Sequence, residues 1–479
     1  MFSKEKINKN IFYVSLIIFL GCLLRYYYFI GVDGWFDEWN MLYTIDPSIS
    51  NEDTWKRYYG YRGSPFYLLP EYYPPLNAFF LKFILNIFGY NIETTRLISV
   101  FFGFGSIFLI YNLSRILTNF KYSLITTIIF SLNLFLIWQS SEIRPHSFVV
   151  FFSLLNLILF FKILDKNFLS NKKFYFFYLI ASLILLSSWP FTLIIYFAKV
   201  VYLIQNFIIN KQKNISIFFC LILTFIFYIL LNIDYLIYHL ARDEHYTKLY
   251  LSFFYSYHFR SFFGSIILGA IFLVTFATLI IINLKKIIYE CKKDNLLIII
   301  ILSSYFLTIV YSIIGASVIS PKYIIFILPL IILWITLKIG SFDFKYKNFI
   351  HIFLIISSVL NIFFNIQNIP IDRPPSKKIL NIIALSNTKT IYTPESEVFN
   401  NFISTHKIFQ KNNFLIKEIK DISIDDKSIW FLCLNNPRFQ MGANTLPDEK
   451  KCKILDDYSY LTLTKEIKLV DYILKKYEN

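Results

Sequence analysis

The sequence predicts a polytopic α-helical membrane protein, of about eleven transmembrane helices, with a small extracytoplasmic α/β domain at its C-terminal end. Composition points there first: of 479 residues, 56% are hydrophobic and 20% aromatic, with a mean hydropathy of +0.54, well above a soluble globular chain. Long apolar runs then recur between short basic loops as far as residue 366. Beyond that point the pattern is lost, and short β-prone runs alternate with polar helical stretches. This gives two regions, 1–366 and 367–479, the first interrupted by a long loop over 33–96.

The first run, Ile11 to Ile30, is long enough to span a bilayer, and no small-residue cleavage site follows it, so it reads as a retained anchor. Lys4, Lys6 and Lys9 precede it and place the N-terminus in the cytoplasm. The loop over 33–96 is therefore external. It contains the polar, aromatic stretch Trp55 to Tyr73, then Pro74-Pro75-Leu76, then Asn77 to Phe88. That last segment is too short to span and carries Lys82 and Asn86 at helical spacing, the pattern of a helix lying in the outer interface. Ten further runs follow: Leu97–Leu117, Tyr122–Trp138, Ser147–Leu164, Phe174–Ser187, Phe191–Ile209, Ile215–Ile233, Phe262–Leu284, Leu296–Ile314, Tyr323–Leu337 and Phe349–Ile366. Alternate loops concentrate lysine, as in Lys172-Lys173, Lys211, Lys285-Lys286 and Lys292-Lys293. They fall on the side of the N-terminus, which supports the odd number and puts the C-terminal region outside a cytoplasmic membrane. The formal net charge of +16 is thereby assigned to topology and to anionic lipid heads, and nucleic acid is excluded as a partner.

In the C-terminal region Asp372-Arg373-Pro374-Pro375 marks a boundary, and Lys389 to Tyr392 and Ser428 to Leu434 read as strands. Cys433 and Cys452 share this region and form a candidate disulfide.

Four polar clusters lie on the external side, where chemistry has access to water and to lipid heads. In Gly34-Trp35-Phe36-Asp37-Glu38-Trp39-Asn40, adjacent carboxylates follow directly on the first span; Asp37 is the candidate catalytic base, set against a plain solvated acidic pair. Glu71, beside Pro74-Pro75 and downstream of Arg62, reads either as a second active-site carboxylate or as part of a helix start. In Ser140-Ser141-Glu142-Ile143-Arg144-Pro145-His146, Arg144 is placed for an anionic lipid head and His146 for a phosphate or hydroxyl, against a snorkelling arginine. The fourth cluster joins the loop bearing Arg242 and His245 to Ser320-Pro321-Lys322-Tyr323, where Lys322 is an external cation that runs against the positive-inside trend. No zinc spacing, Walker loop, dinucleotide fingerprint or nucleophile elbow occurs. No cofactor is expected, and a divalent ion on Asp37, Glu38 and Glu71 has no support in the spacing.

Taken in order, Arg25, Asp37-Glu38, Pro74-Pro75-Leu76, Phe88-Gly89, Arg96-Leu97-Ile98-Ser99, Ile143-Arg144-Pro145-His146-Ser147, Pro321-Lys322-Tyr323 and Leu328-Pro329 resemble the integral-membrane glycosyltransferases of the C-type fold. The likeness is to the group containing protein O-mannosyltransferases and the bacterial aminoarabinose transferase of lipid A. It implies transfer of a sugar from a polyprenyl-phosphate donor, usually with inversion, to a hydroxyl acceptor at the outer membrane face. Asp37 would match the catalytic aspartate, with Glu38, Arg144 and Lys322 in the same cavity. Tyr73 stands where relatives often have His, and Lys322 where many have Arg. A carboxylate base suits proton removal from the acceptor hydroxyl, and the cations suit the leaving phosphate. Two other readings compete. A transporter or flippase for a lipid-linked glycan predicts polar or charged residues buried mid-span and paired inverted repeats, whereas Asn112, Asn156 and Gln205 are isolated and lie near span ends. A cell-envelope assembly protein would use the C-terminal region to bind wall components.

Overall fold

The computed structural model describes residues 4–31, 33–34, 36–59, 74–165, 172–211, 214–240, 258–290, 292–314, 320–342, 345–366, 376–394, 404–423, 425–434, 451–469 and 472–479. They form two compact units. The first takes in 1–30, 72–77 and 99–366; the second takes in 31–71, 78–98 and 367–479. The boundary at 366 thus coincides with a change of unit, but most of the loop that follows the first span belongs with the C-terminal region.

Among the described residues seven helices are long and apolar enough to cross a membrane: Asn10–Ile30, Ile92–Leu117, His146–Leu164, Pro190–Asn210, Ile266–Tyr289, Asn295–Ile313 and Lys347–Asn365. Shorter apolar helices occupy Phe120–Ser131, Ile215–Leu231 and Ile325–Ser341, and Lys172–Leu186 covers the run expected at 174–187. Two expected spans are broken. The run at 122–138 divides into Phe120–Ser131 and Leu134–Gln139, because Asn133 caps the second piece by accepting from Leu136 N at 3.0 Å. The run at 323–337 opens with a 3-10 turn at Ile325–Ile327 before the α-helix Leu328–Ser341, since Pro329 suits only a first turn.

Several buried polar groups of the first unit are satisfied by other elements of the chain, which a low-dielectric surround favours. The short helix Phe259–Phe263 ends at Gly264, whose φ of +79° favours glycine. Its last carbonyls are satisfied from other helices: Asn133 Nδ2 donates to Phe262 O at 2.9 Å and Asn361 Nδ2 to Phe263 O at 2.8 Å. Lys199, fully buried in the span Pro190–Asn210, is an ionisable residue that apolar neighbours on both sides conceal in the sequence. Its Nζ donates to Asn156 Oδ1 and, at 3.0 Å, to Tyr178 OH. The rings of Phe160, Tyr178 and Tyr196 lie 4.8 to 5.0 Å from it. Boxed by three rings and two oxygens, Lys199 ties three helices together.

The second unit is built on a five-stranded sheet in the order β2-β1-β3-β5-β4. The strands are β1 (Thr390–Thr393), β2 (Leu415–Glu418), β3 (Ser428–Leu434), β4 (Thr462–Lys468) and β5 (Tyr472–Glu478). β1 runs parallel to β2 and β3, while β5 runs antiparallel to β3 and β4. β3 reads Ser-Ile-Trp-Phe-Leu-Cys-Leu, a continuous apolar run, because both faces are covered. Trp430 and Leu432 pack with Ile379, Leu380 and Ile383 of the helix Ser376–Ala384. Ile429, Phe431 and Cys433 pack on the other face with Cys452, Leu455 and Tyr477. Cys433 and Cys452 are joined by a disulfide with Cα atoms 5.5 Å apart.

The helix Leu76–Phe88 closes at Gly89 with φ of +91°, where Gly89 N donates to Leu85 O at 3.0 Å. Lys82 does not reach water from it. Its Nζ donates to Ile49 O at 2.8 Å, Ser50 O at 3.1 Å and Thr54 Oγ1 at 2.7 Å. All three ammonium donors are thus used to hold the neighbouring helix Asn51–Tyr58.

Candidate functional site

In the first unit the turn at 140–145 and the head of the helix His146–Leu164 gather a set of polar and aromatic side chains. Pro145 gives the helix its start, with Val149 N donating to Pro145 O at 2.7 Å, and buried Ile143 anchors the turn. Glu142, fully buried, sits between an imidazole and an ammonium: its Oε2 lies 3.7 Å from His146 Nδ1 and 3.8 Å from Lys322 Nζ. The second is an ion-pair separation, and both are beyond direct hydrogen bonding. Lys322 Nζ also stands 5.2 Å from the Trp138 ring centroid, with 23% of its side chain exposed. Arg144 and Lys322 both act electrostatically on the His146 ring. His146 and Lys322 thus flank one carboxylate, with Arg144 near enough to act on the His146 ring.

Aromatic packing fixes this group. The His146 ring stands edge-on to Trp189 with centroids 5.4 Å apart, and Trp189 Nε1 donates to Tyr323 O at 2.7 Å. Tyr323 stacks on Phe191 at 5.1 Å with 7° between the planes. The backbone next to Lys322 is thereby tied to the head of the span Pro190–Asn210. Sequence reasoning missed two members. Glu142 is four residues before His146, a spacing that places both on one side of a helical turn, and Trp189 precedes Pro190 just as Glu142 precedes its own proline-led helix.

In the second unit, Asp37 lies in the first turn of the helix Phe36–Thr44, and its side chain is outside what the structure describes. Its neighbour Glu38 is placed differently from the cavity role expected of it. Arg96 Nε donates to Glu38 Oε1 at 2.8 Å and Arg96 Nη2 to Glu38 Oε2 at 2.6 Å, with both side chains 0% exposed. Arg96 Nη2 also donates to Asp33 O at 2.7 Å. A carboxylate held by both oxygens in a planar fork is a positioning group; here it fixes the helix that carries Asp37. Gly34 packs closely beside it: a Cβ there would come within 2.7 Å of Ile92 Cδ1 and 3.0 Å of the Trp39 ring.

The same network reaches the C-terminal region. Lys377 N donates to Asp33 Oδ1 at 2.8 Å, Ile92 N to Thr405 O at 3.1 Å, and Gln410 Nε2 to Tyr90 O at 3.0 Å. His406 Nδ1 lies 3.5 Å from Glu93 Oε1. Burial pushes the Asp33 carboxyl above its ordinary range against the pull of the Lys377 amide and the cations nearby. Burial and the Arg96 charge push the Lys377 ammonium down.

Arg62, Glu71, Arg242 and His245, expected as cavity or acceptor residues, lie outside the described residues, as does Tyr73. Among the described residues no three histidine, cysteine, aspartate or glutamate side chains are grouped to hold a metal ion.

A sequence family described as dolichyl-phosphate-mannose-protein mannosyltransferase matches residues 73–233. No curated protein matches the chain in sequence. Among solved structures the chain is similar to ArnT from Cupriavidus metallidurans in the apo state, with a TM-score of 0.58 and 8% identity over 97% of each chain. It is also similar to ArnT from the same organism bound to undecaprenyl phosphate, with a TM-score of 0.56 and 8% identity, again over 97% of each chain. The likeness extends nearly end to end, so the chain is a multi-pass helical membrane protein with the C-type membrane glycosyltransferase fold.

Proposed function

We propose that this protein is a membrane glycosyltransferase that moves a sugar from a polyprenyl-phosphate-linked donor to a hydroxyl acceptor at the outer face of the cytoplasmic membrane, with inversion. The observation that carries the reading is the half-buried Lys322, set over Trp138, opposite buried Glu142 and in electrostatic reach of the ring that Arg144 also acts on. A cation so placed is held by packing yet retains charge for a ligand, and with Arg144 it matches what a leaving lipid phosphate needs. The solved relative bound to undecaprenyl phosphate supports the same ligand chemistry here.

The roles follow the chemistry of each group. Asp37 takes the proton from the acceptor hydroxyl as oxygen attacks the anomeric carbon. The bond from that carbon to the phosphate oxygen breaks, and Arg144 and Lys322 stabilise the charge left on the lipid phosphate. Lys322 offers a point charge where an arginine would offer a fork. Glu142 keeps the Lys322 ammonium and the His146 imidazole in position, and Glu38 does the same for the helix that bears Asp37.

The reading is tested with purified protein in lipid. Undecaprenyl phosphate is expected to bind, and Lys322→Gln to weaken binding at least about tenfold, the loss of one charge-assisted contact. Asp37→Asn is expected to abolish transfer from polyprenyl-phosphate sugars at normal protein levels while leaving lipid binding intact. Full transfer by Asp37→Asn removes the base assignment; equal lipid binding by the wild type and Lys322→Gln removes the phosphate site.

A further inference from the structure

Arg25 lies inside the first span, 1% exposed, and guanidinium stays charged in proteins. Among the described residues no carboxylate pairs with it; the titratable group that acts on it is the Cys22 thiol. Its Nη1 donates to Gly21 O and Ser131 O, both at 3.1 Å, and its Cζ lies 5.7 Å from the Phe130 ring centroid. Its Nε has no partner. Arg25 borders a cavity with about 10 Å³ open to the centre of a water-sized sphere, near the least that holds one small guest. Gln139 and Ser147 line it too, both buried, and the Gln139 amide and the Ser147 hydroxyl are likewise without partners. Leu136, Val150 and Ile325 supply an apolar wall.

We propose that this cavity binds a small monovalent anion of halide size, held by the Arg25 guanidinium, the Gln139 amide and the Ser147 hydroxyl. Three residues with unfilled donors line one small space beside a positive charge that no described carboxylate compensates. A water molecule would answer the donors but leave the charge unbalanced at membrane depth, a cost of several kcal/mol. A halide answers both. The cavity is kept small by close packing: a Cβ at Gly103 would fall 2.4 Å from Ser140 Oγ and 3.3 Å from Arg25 Cδ. Gln139 and Ser147 flank the turn bearing Glu142 and Arg144, so the bound anion braces that turn from behind.

The test uses the full chain in detergent, with chloride replaced by gluconate at constant ionic strength. The unfolding midpoint is expected to rise saturably with chloride, by a few degrees, and not with gluconate. Arg25→Gln is expected to remove that dependence. Ser147→Ala, which leaves the packing nearly unchanged, is expected to raise the half-saturating chloride concentration about tenfold, one hydrogen bond to a charged group. Crystals grown in bromide should show an anomalous peak in the cavity. Identical melting in chloride and gluconate, chloride dependence surviving in Arg25→Gln, or water density without an anomalous peak would each overturn the proposal.

Discussion

Replacing Arg96 by methionine tests the assignment of Glu38 as a positioning group. In the native protein two of the guanidinium's nitrogens engage both carboxylate oxygens at 2.6 and 2.8 Å, and one also reaches Asp33 O at 2.7 Å. Arg96→Met leaves a carboxylate that is 0% exposed with its charge unanswered. Breaking a buried pair in this way costs about 3–5 kcal/mol, and the stranded Asp33 carbonyl adds to it. For a unit of this size that corresponds to a fall of on the order of 10 °C in unfolding midpoint. The assay is thermal unfolding of the purified protein in detergent, alongside the double variant Glu38→Leu/Arg96→Met. The double variant buries no charge and should recover most of the loss. Transfer activity of both variants should follow the folded fraction. A midpoint for Arg96→Met within about 3 °C of wild type, roughly 1 kcal/mol, would refute the reasoning. So would a double variant that regains its fold and loses transfer entirely, which would make Glu38 a catalytic residue.

Cys452→Ser opens the bridge to Cys433 across a sequence separation of 19 residues and should lower the stability of the C-terminal region by about 3 kcal/mol, measured by denaturant unfolding with and without reductant. Asp456→Asn tests a titration in the same region. Burial raises the Asp456 carboxyl, but hydrogen bonds from Tyr477 and Lys475 and the charges of Lys475 and Lys453 outweigh it, leaving it below its ordinary 3.8. A depressed carboxylate stabilises the fold above the unfolded value and loses that contribution as pH falls through the folded one. The variant should therefore be less stable than wild type at pH 7, with the gap closing below about pH 4, as read from unfolding midpoints across pH.

What the sequence determined by itself was whatever depends on local composition and order. The apolar runs mark the spans because a bilayer demands about 20 apolar residues to cross it, and the continuous apolar run of β3 marks a strand covered on both faces. Lys322 could be singled out because a cation opposed to the positive-inside trend stands out in one dimension, and Arg144 and His146 because they lie together in one short polar turn. Only the tertiary structure decided the partners. The spans at 122–138 and 323–337 break because Asn133 caps a second helix and Pro329 starts one. Glu38 is held by Arg96, 58 residues away, and Lys82, which reads as the polar face of an interfacial helix, is consumed by carbonyls near residue 50. Lys199 disappears into apolar sequence, and the lack of a carboxylate partner for Arg25 is invisible there, since nothing local distinguishes a boxed or orphaned basic side chain from one that snorkels. Coulombic and hydrogen-bond energies fall off within a few ångströms of contact, and those contacts are made between residues that the chain order keeps far apart.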